Sequence, residues 1–202
     1  MIFLLDYGAG NLASVRKALA AVGASVAVPA HPDELLNASG IIVPGVGNFA
    51  STSAIDVHWT DAILDRVSCG RPLLGICLGM QWLFEASAEA PGLKGLGIMG
   101  GTCERLAAAA QKAPVKVPHV GWNSLEVQRE SWISEGVTTG AQVYFTHGYA
   151  APVTADAVAT SEHGHRFSAI VERGCVAGVQ FHPEKSGDVG LQILRNFVRF
   201  CA

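Results

Sequence analysis

One cysteine of this sequence stands in a setting suited to nucleophilic chemistry. Cys77 has a glycine two positions before it and another two positions after it, and it separates an apolar run at residues 73–76 from a helical pattern formed by Met80, Leu83 and Phe84. This is the G-x-nucleophile-x-G elbow, in which a tight turn between a strand and a helix crowds the backbone at both glycine positions. We therefore expect the thiol of Cys77 to stand at the end of a sheet strand.

Two features of such an elbow would activate the thiol. The N-terminus of the following helix favours the thiolate and lowers the pKa of the cysteine. The amide of Leu78 would point into the space above the sulfur, where it can serve as an oxyanion donor. The pentapeptide alone is equally compatible with a buried structural cysteine on a glycine-rich turn. The remaining cysteines lack this setting and are assigned to packing: Cys69, Cys103, Cys175 and Cys201.

A nucleophilic thiol needs a base, and His182 is the best candidate among the seven histidines. It follows an apolar run at residues 176–179 that is typical of a strand, and Pro183 keeps it out of helical geometry. In extended backbone, residues two apart project to the same side, so His182 and Glu184 can enter one site. The carboxylate would then fix the tautomer of the imidazole and stabilise the imidazolium. A solvated loop after the strand is the alternative for both residues.

Composition excludes several classes of function. Of the 202 residues 50% are apolar and 15% charged, so the chain must bury a substantial core and is not disordered. With a net charge of −3 and no basic run it lacks a nucleic-acid footprint, and no apolar stretch is long enough to span a membrane. Five cysteines without a C-x-x-C pair, and a first segment unlike a signal peptide, favour a cytoplasmic location. His163 and His165 have no third ligand at a suitable spacing, so no metal is expected.

The order of predicted elements indicates the fold class. Apolar runs at residues 2–5, 25–28, 41–43 and 73–76 predict strands, and Asn11 is expected to cap a helix that stops at Gly23. Further strands are predicted at residues 143–145, 157–159, 168–171 and 176–179, before a final helix containing Leu191, Leu194, Phe197 and Val198. We expect one α/β domain over residues 1–202, with a mixed, mostly parallel central sheet, helices on both faces and an antiparallel extension in the C-terminal half. The alanine tract at residues 107–110 predicts a surface turn.

A second glycine pattern could bind a nucleotide. Gly8-Ala9-Gly10-Asn11-Leu12-Ala13 follows a predicted strand and matches the loose form of the dinucleotide fingerprint. The acidic residue expected about 20 positions later is missing, because the second strand ends in Val28-Pro29-Ala30-His31. The similar spacing at residues 95–100 follows a loop and opens no helix. No nucleotide cofactor is therefore expected.

Six segments taken together resemble the class I glutamine amidotransferases. The elbow with its extension, Gly75-Ile76-Cys77-Leu78-Gly79-Met80-Gln81, and Gly178-Val179-Gln180-Phe181-His182-Pro183-Glu184-Lys185-Ser186 are typical of the whole class. Three segments resemble more narrowly the glutaminase subunits of imidazole glycerol phosphate synthase, an enzyme of histidine biosynthesis: Asp6-Tyr7-Gly8-Ala9-Gly10-Asn11-Leu12, Pro44-Gly45-Val46-Gly47 and Lys116-Val117-Pro118-His119-Val120-Gly121-Trp122-Asn123. The sixth is Tyr144-Phe145-Thr146-His147-Gly148-Tyr149. The fold that this resemblance implies is the flavodoxin-like α/β fold of the class.

The resemblance implies an enzyme that hydrolyses L-glutamine to glutamate and ammonia without a cofactor. Cys77 would attack the side-chain amide, His182 would protonate the departing ammonia and then activate water, and Glu184 would orient His182. The loop at residues 44–47 would supply a second oxyanion amide near Val46, opposite that of Leu78, after a peptide rotation that its glycines permit. The residues expected to bind the substrate are Gly45, Gly47, Gln81, Gly148 and Tyr149.

The resemblance also implies a heterodimer with a cyclase subunit. This partner, a (β/α)₈ barrel, would receive the ammonia through an internal passage and make imidazole glycerol phosphate and AICAR. Aromatic residues with polar anchors suit an interface core, and the residues expected there are Asn11, Trp122, Asn123, Tyr144 and Lys185. His119 and His147 are expected to serve structure. Two alternatives stay open: the glutaminase subunit of another class I amidotransferase, for anthranilate or pyridoxal phosphate synthesis, and a catalytically silent relative that only binds a partner.

Overall fold

A computed structural model describes residues 1–106 and 115–202 of the chain, so the turn expected at residues 107–110 lies outside the described residues. The strands are β1 (Ile2–Leu4), β2 (Val26–Ala27), β3 (Gly40–Val43), β4 (Leu73–Ile76), β5 (Phe84–Ser87), β6 (Met99–Arg105), β7 (His119–Ser124), β8 (Glu126–Val127), β9 (Gln142–His147), β10 (Tyr149–Ala150), β11 (Ala157–His163), β12 (His165–Arg173) and β13 (Val176–Val179). The helices are α1 (Leu12–Ala21), α2 (Val57–Ser68), α3 (Leu78–Trp82) and α4 (Gly187–Phe200). Short 3₁₀ helices span Pro32–Asn37, Phe49–Ala54 and Pro183–Lys185.

The central sheet has eight strands in the order β2-β1-β3-β4-β13-β12-β11-β8. The strands from β2 to β13 are parallel to their neighbours, and the pairings from β13 through β12 and β11 to β8 are antiparallel. This confirms the predicted mixed, mostly parallel sheet with an antiparallel C-terminal extension. The register between β13 and β4 pairs Val179 with Ile76. Because parallel strands end at the same edge, the residues that follow these two strands meet there.

Helices cover both faces of the sheet, as the alternation of strands and helices predicts. On one face, Val15 and Leu19 of α1 join Ile193, Leu194 and Phe197 of α4 in one core cluster. On the other face, Ile63 of α2 lies in a second cluster. Neighbouring residues of one strand alternate between the two clusters, because successive side chains of a strand point to opposite faces. The helix α1 begins where the sequence predicts, since the side chain of Asn11 accepts a hydrogen bond from Ser14 N at 3.2 Å.

Three parts of the structure differ from the sequence-based expectation. The helix after Cys77 ends at Trp82, and Phe84 begins strand β5, so the prediction that Phe84 belongs to this helix was wrong. The helix α2 and the small sheet β10-β6-β5 were not predicted. Within the described residues no helix has the length and apolar character needed to cross a membrane.

A two-stranded ribbon lies beside the end of the central sheet. Strands β7 and β9 are antiparallel, with His119 paired to His147 at one end and Ser124 to Gln142 at the other. The backbone carbonyl of Tyr144 in β9 accepts a hydrogen bond from His182 N at 2.9 Å. Tyr144 N in turn donates to the hydroxyl of Ser186 at 2.9 Å. These bonds hold the ribbon against the segment that carries His182 and Glu184.

Candidate active site

Cys77 occupies the tight turn that its neighbouring glycines predict. Its φ of 53° is the only positive value found for a non-glycine residue within the described ranges. A Cβ atom at Gly79 would overlap the carbonyl oxygen of Val43, and one at Gly75 would lie 2.5 Å from the carbonyl oxygen of Gly79. Only glycine fits both positions, and the strained backbone of Cys77 is of the kind that clusters at functional sites.

The elbow is followed by a helix of only five residues, Leu78–Trp82. So short a helix aligns few peptide dipoles, which weakens the expected contribution of a helix N-terminus to thiolate stability. The cationic group near the sulfur is instead His182. The electrostatics of the nucleophile therefore depend mainly on the histidine that β13 delivers.

His182 is buried and held in one orientation. Its Nδ1 lies 2.9 Å from Oε1 of Glu184, and the side chains of both residues are at most 3% exposed. Burial lowers the pKa of His182, but hydrogen bonds to Cys77 and Glu184 and the negative charges of these groups outweigh it and raise the pKa well above its usual range. Since Glu184 occupies Nδ1, Nε2 is the nitrogen left for the sulfur of Cys77. The predicted trio is thus brought together, and the protonated form of His182 is favoured.

A second buried side chain contacts the sulfur. Gln180, which is fully buried, donates from Nε2 to Sγ of Cys77 at 3.7 Å, and Sγ also lies 3.8 Å from the carbonyl oxygen of Thr146. Gln180 was not among the residues singled out from the sequence. Its signal was available, because it precedes His182 by two positions in an extended segment and such residues project to the same side.

The loop at residues 44–47 blocks one of the two expected oxyanion donors. Leu78 N donates to the carbonyl oxygen of Gly45 at 3.4 Å. The amide is therefore engaged, and an oxyanion could bind it only after the Gly45–Val46 peptide rotates. Gly47 has a φ of +100°, and the Val46 side chain is exposed. The buried hydroxyl of Tyr7 packs against Gly45 and has no hydrogen-bond partner among the described residues.

A small cavity of about 40 Å³ opens beside the sulfur. Its lining includes four of the five residues expected to bind substrate, Gly47, Gln81, Gly148 and Tyr149, together with Glu89, Thr146 and His147. Gly45 does not line this cavity and packs instead against Tyr7 and Leu78. The volume is well below the 300 Å³ or so of typical ligand pockets, so the site is nearly closed.

Two of the polar side chains that line the cavity, those of Gln81 and Glu89, make different contacts. Gln81 is buried and donates from Nε2 to the carbonyl of Tyr149 at 2.9 Å and to Oε1 of Gln180 at 3.1 Å. Glu89, which the sequence reasoning missed, accepts a hydrogen bond from Phe49 N at 2.7 Å. Its carboxylate brings negative charge to a cavity suited to a small zwitterion. No local pattern marks Glu89, because only the tertiary fold brings it to the sulfur.

Most residues expected at a partner surface form one patch. Trp122 is 58% exposed, and its ring lies edge-on to that of Tyr144 with centroids 6.1 Å apart. Nζ of Lys185 lies 5.9 Å from the centre of the Tyr144 ring. Asn123, on the same strand as Trp122, donates from Nδ2 to the carbonyl of Glu162 at 2.9 Å. Asn11 is exposed at the start of α1 and serves as its cap.

The family model "Glutamine amidotransferase class-I" matches residues 3–200. The chain is 46% identical to imidazole glycerol phosphate synthase subunit HisH of Geobacillus kaustophilus, covering 98% of this chain and 96% of that one. It is 43% identical to the protein of the same name from Methanosarcina acetivorans, covering 99% and 98%.

Solved structures agree in fold. The structure of PurLQS from Thermotoga maritima superposes with a TM-score of 0.77 at 19% identity, covering all of this chain and 98% of that one. A further structure, described as a glutamine amidotransferase, gives a TM-score of 0.75 at 22% identity, covering 99% and 98%. The chain belongs to the class-I glutamine amidotransferase family and, within it, to the imidazole glycerol phosphate synthase HisH subunits.

Proposed function

We propose that Cys77, His182 and Glu184 hydrolyse L-glutamine to glutamate and ammonia for a synthase of histidine biosynthesis. The observation that carries the proposal is the elbow cysteine facing a buried histidine whose Nδ1 is held 2.9 Å from a buried carboxylate. This arrangement has the parts that nucleophilic amide hydrolysis needs: a nucleophile, a base and a group that orients the base.

The reaction proceeds in two halves. The thiolate of Cys77 attacks Cδ of glutamine, and the carbonyl becomes an oxyanion. The imidazolium of His182 gives its proton to the amide nitrogen, so that the C–N bond breaks, ammonia leaves and a thioester remains. Neutral His182 then takes a proton from water as the water attacks the thioester. It keeps this proton when the C–S bond breaks and the glutamate product leaves, which restores the thiolate and the imidazolium. Glu184 stabilises the imidazolium in both halves.

The cavity residues suit glutamine as the substrate. The carboxylate of Glu89 can pair with the α-ammonium group of the amino acid, and backbone groups of Gly148 and Tyr149 can bind its carboxylate or ammonium end. Gln81 and Gly47 line the same cavity and would border the reacting amide. Because the cavity is far smaller than glutamine, binding requires the surrounding loops to open first.

The loop at residues 44–47 acts as a switch. While the carbonyl of Gly45 occupies Leu78 N, the oxyanion lacks this donor. Rotation of the Gly45–Val46 peptide removes this carbonyl and turns Val46 N towards the oxyanion, which completes the hole. A 3.4 Å hydrogen bond is weak, so a modest stabilisation of the rotated state by a partner can shift the balance. The isolated subunit is therefore nearly inactive.

The partner is a cyclase subunit, a (β/α)₈ barrel that consumes the ammonia. It docks on the patch of Trp122, Tyr144 and Lys185, with Asn11 and Asn123 beside it. Exposed aromatic rings flanked by a cation are the composition that interface cores favour. The whole chain, residues 1–202, acts as one class I domain in the cytoplasm, where its five cysteines, all free, stay reduced.

The test combines turnover with covalent labelling in the reconstituted complex. Glutamate release is measured with and without the cyclase and its nucleotide ligand, for the parent chain and for Cys77→Ala. A chloroketone analogue of glutamine should alkylate the sulfur of Cys77, displacing chloride, and mass spectrometry should locate the adduct there. Cys69 is the internal control, because it is exposed but remote from the site. Glutamine hydrolysis by Cys77→Ala, or an adduct on Cys69 alone, would overturn the proposal.

A further inference from the structure

Two buried histidines outside the proposed catalytic trio are joined by a hydrogen bond between their rings. Nδ1 of His119 in β7 lies 3.0 Å from Nε2 of His147 in β9, and the two residues are only 3% and 6% exposed. Nδ1 of His147 lies 2.8 Å from the carbonyl oxygen of Tyr149. The hydrolysis described above uses neither ring, although His147 lines the cavity.

The carbonyl at one end dictates the tautomer of both rings. A carbonyl oxygen can only accept, so His147 carries its proton on Nδ1 and donates to Tyr149. Its Nε2 is then an acceptor, which requires His119 to carry its own proton on Nδ1. Burial lowers the pKa of His147 to about 3 and that of His119 to about 4, so both rings are neutral at pH 7, as this pattern requires.

The inner end of the pair leads to the nucleophile. The carbonyl of Tyr149 accepts a second hydrogen bond, from Nε2 of Gln81 at 2.9 Å. Gln81 also donates to Gln180, whose Nε2 lies 3.7 Å from Sγ of Cys77. The Tyr149 carbonyl is therefore held from two sides, by the histidine pair and by the side chains around the sulfur.

The outer end leads to the proposed partner surface. Nε2 of His119 is the acceptor that remains, and Nδ2 of Asn123 lies 3.4 Å from it. Asn123 follows the exposed Trp122 on β7, and its half-buried side chain lies on the opposite face of the ribbon, together with that of His119. The ring of His163 stacks on His119 with centroids 4.1 Å apart, which limits its rotation. One continuous chain of hydrogen bonds thus runs from the surface to the cavity.

We propose that His119 and His147 are positioning residues that hold the Tyr149 carbonyl for the glutamine site and couple it to the partner surface at Asn123. The proposal rests on the proposed glutaminase function, because it assigns the pair a role in that reaction. Every donor in the chain points inwards, from Asn123 to Tyr149, and hydrogen bonds aligned in this way strengthen one another. A displacement of β7 on docking is thereby transmitted to the substrate cavity.

Two variants at position 147 and a control at position 58 separate positioning from mere filling of space. His147→Phe keeps a ring but removes both hydrogen bonds, whereas His147→Asn retains a donor at the Nδ1 position. His147→Phe leaves the Tyr149 carbonyl without one of its donors, and the KM for glutamine in the complex should rise about tenfold. His147→Asn should return KM to within about twofold of the parent chain. His58→Phe, at an exposed position of α2, is the matched control.

His119→Phe tests the coupling. It interrupts the chain while leaving the bond between His147 and Tyr149 possible. The cyclase should still bind with parental affinity, but the ratio of glutaminase rates with and without the cyclase should fall severalfold. An unchanged ratio would refute the coupling half of the proposal.

Two further results would overturn the positioning half. Equal KM values for His147→Phe and His147→Asn, with only the melting temperature lowered, would mean that the ring is structural. Nitrogen-15 NMR of the parent chain should report both rings as neutral Nδ1–H tautomers at pH 7, and an Nε2–H tautomer of either ring would refute the bonding pattern. The NMR measurement needs no turnover, so it distinguishes failure of this proposal from failure of the proposed glutaminase function.

Discussion

Acidification should destabilise this protein through His119 and His147, whatever its activity. Burial is the main cause of the lowered pKa of each, to about 4 and about 3, and the neighbouring histidines reinforce it. A group whose pKa is lowered on folding contributes stability above its unfolded pKa, and that contribution is lost as the pH falls towards the folded pKa. The affected window therefore begins near pH 6.5, the pKa of an unperturbed histidine, and extends down to about pH 4 for His119 and about pH 3 for His147.

The magnitude follows from proton linkage. Between pH 7 and pH 5 each histidine of the unfolded chain gains about one proton, whereas the folded rings gain almost none. Each should therefore remove about 2 kcal/mol from the free energy of unfolding over this interval, and the pair about 4 kcal/mol. His182 has the opposite sign: its pKa is raised on folding, so its contribution is complete below about pH 6.5 and is lost only as the pH rises.

The measurement is urea unfolding followed by tryptophan fluorescence at pH 7, 6 and 5. His147→Asn removes one titrating ring but keeps a donor for the Tyr149 carbonyl. Between pH 7 and pH 5 the free energy of unfolding of this variant should therefore fall by about 2 kcal/mol less than that of the parent chain. His58→Asn, an exposed substitution on α2, should follow the parent chain. Equal losses for His147→Asn and the parent would show that His147 is protonated in the folded protein at pH 5, and the reasoning would fail.

Three other substitutions test separate parts of the structure. Glu184→Gln should lower kcat of the complex about 10³-fold with little change in KM, because an amide neither stabilises the imidazolium of His182 nor enforces its tautomer; a loss below tenfold in steady-state glutamate release would contradict this role. Gly79→Ala forces a Cβ into a backbone carbonyl and should lower the melting temperature sharply or prevent folding, whereas Gly100→Ala meets open space and should leave it unchanged. Asn11→Ala removes the cap of α1 and should cost about 1 kcal/mol in urea unfolding, and no measurable change would argue against the cap.

The sequence predicted the parts of the site that short-range rules govern. The glycines around Cys77 indicate a turn too tight for a side chain, and the apolar runs before Cys77 and His182 indicate two strands. The parallel pairing of β13 with β4 was not predicted, because the strand at residues 176–179 was grouped with the antiparallel extension. It is this pairing and its register that bring the cysteine and the histidine to one edge of the sheet.

The parts that the sequence did not reveal depend on contacts between distant segments. Glu89 reaches the cavity because β5 and its following turn pack beside α3, and no spacing marks it. The hydrogen bond from Leu78 N to the carbonyl of Gly45 depends on the conformation of the loop at residues 44–47. The helix after Cys77 was overestimated because apolar spacing cannot distinguish a helix from a turn that leads directly into a buried strand.

The closed site and the exposed aromatic patch belong to one structural unit. Tyr144 contributes to the patch, while Gly148 and Tyr149, only a few residues further along the chain, line the cavity. In the same ribbon, the carbonyl of Tyr144 accepts a hydrogen bond from His182 N, and Tyr144 N donates to the hydroxyl of Ser186. If the proposed partner binds Trp122 and Tyr144, we expect it to act on the cavity beside Cys77 through residues that are nearly adjacent in the chain. Under the proposed function we therefore expect regulation without a domain movement, in which a small displacement of the ribbon and a rotation of the peptide at residues 45–46 free the blocked donor Leu78 N.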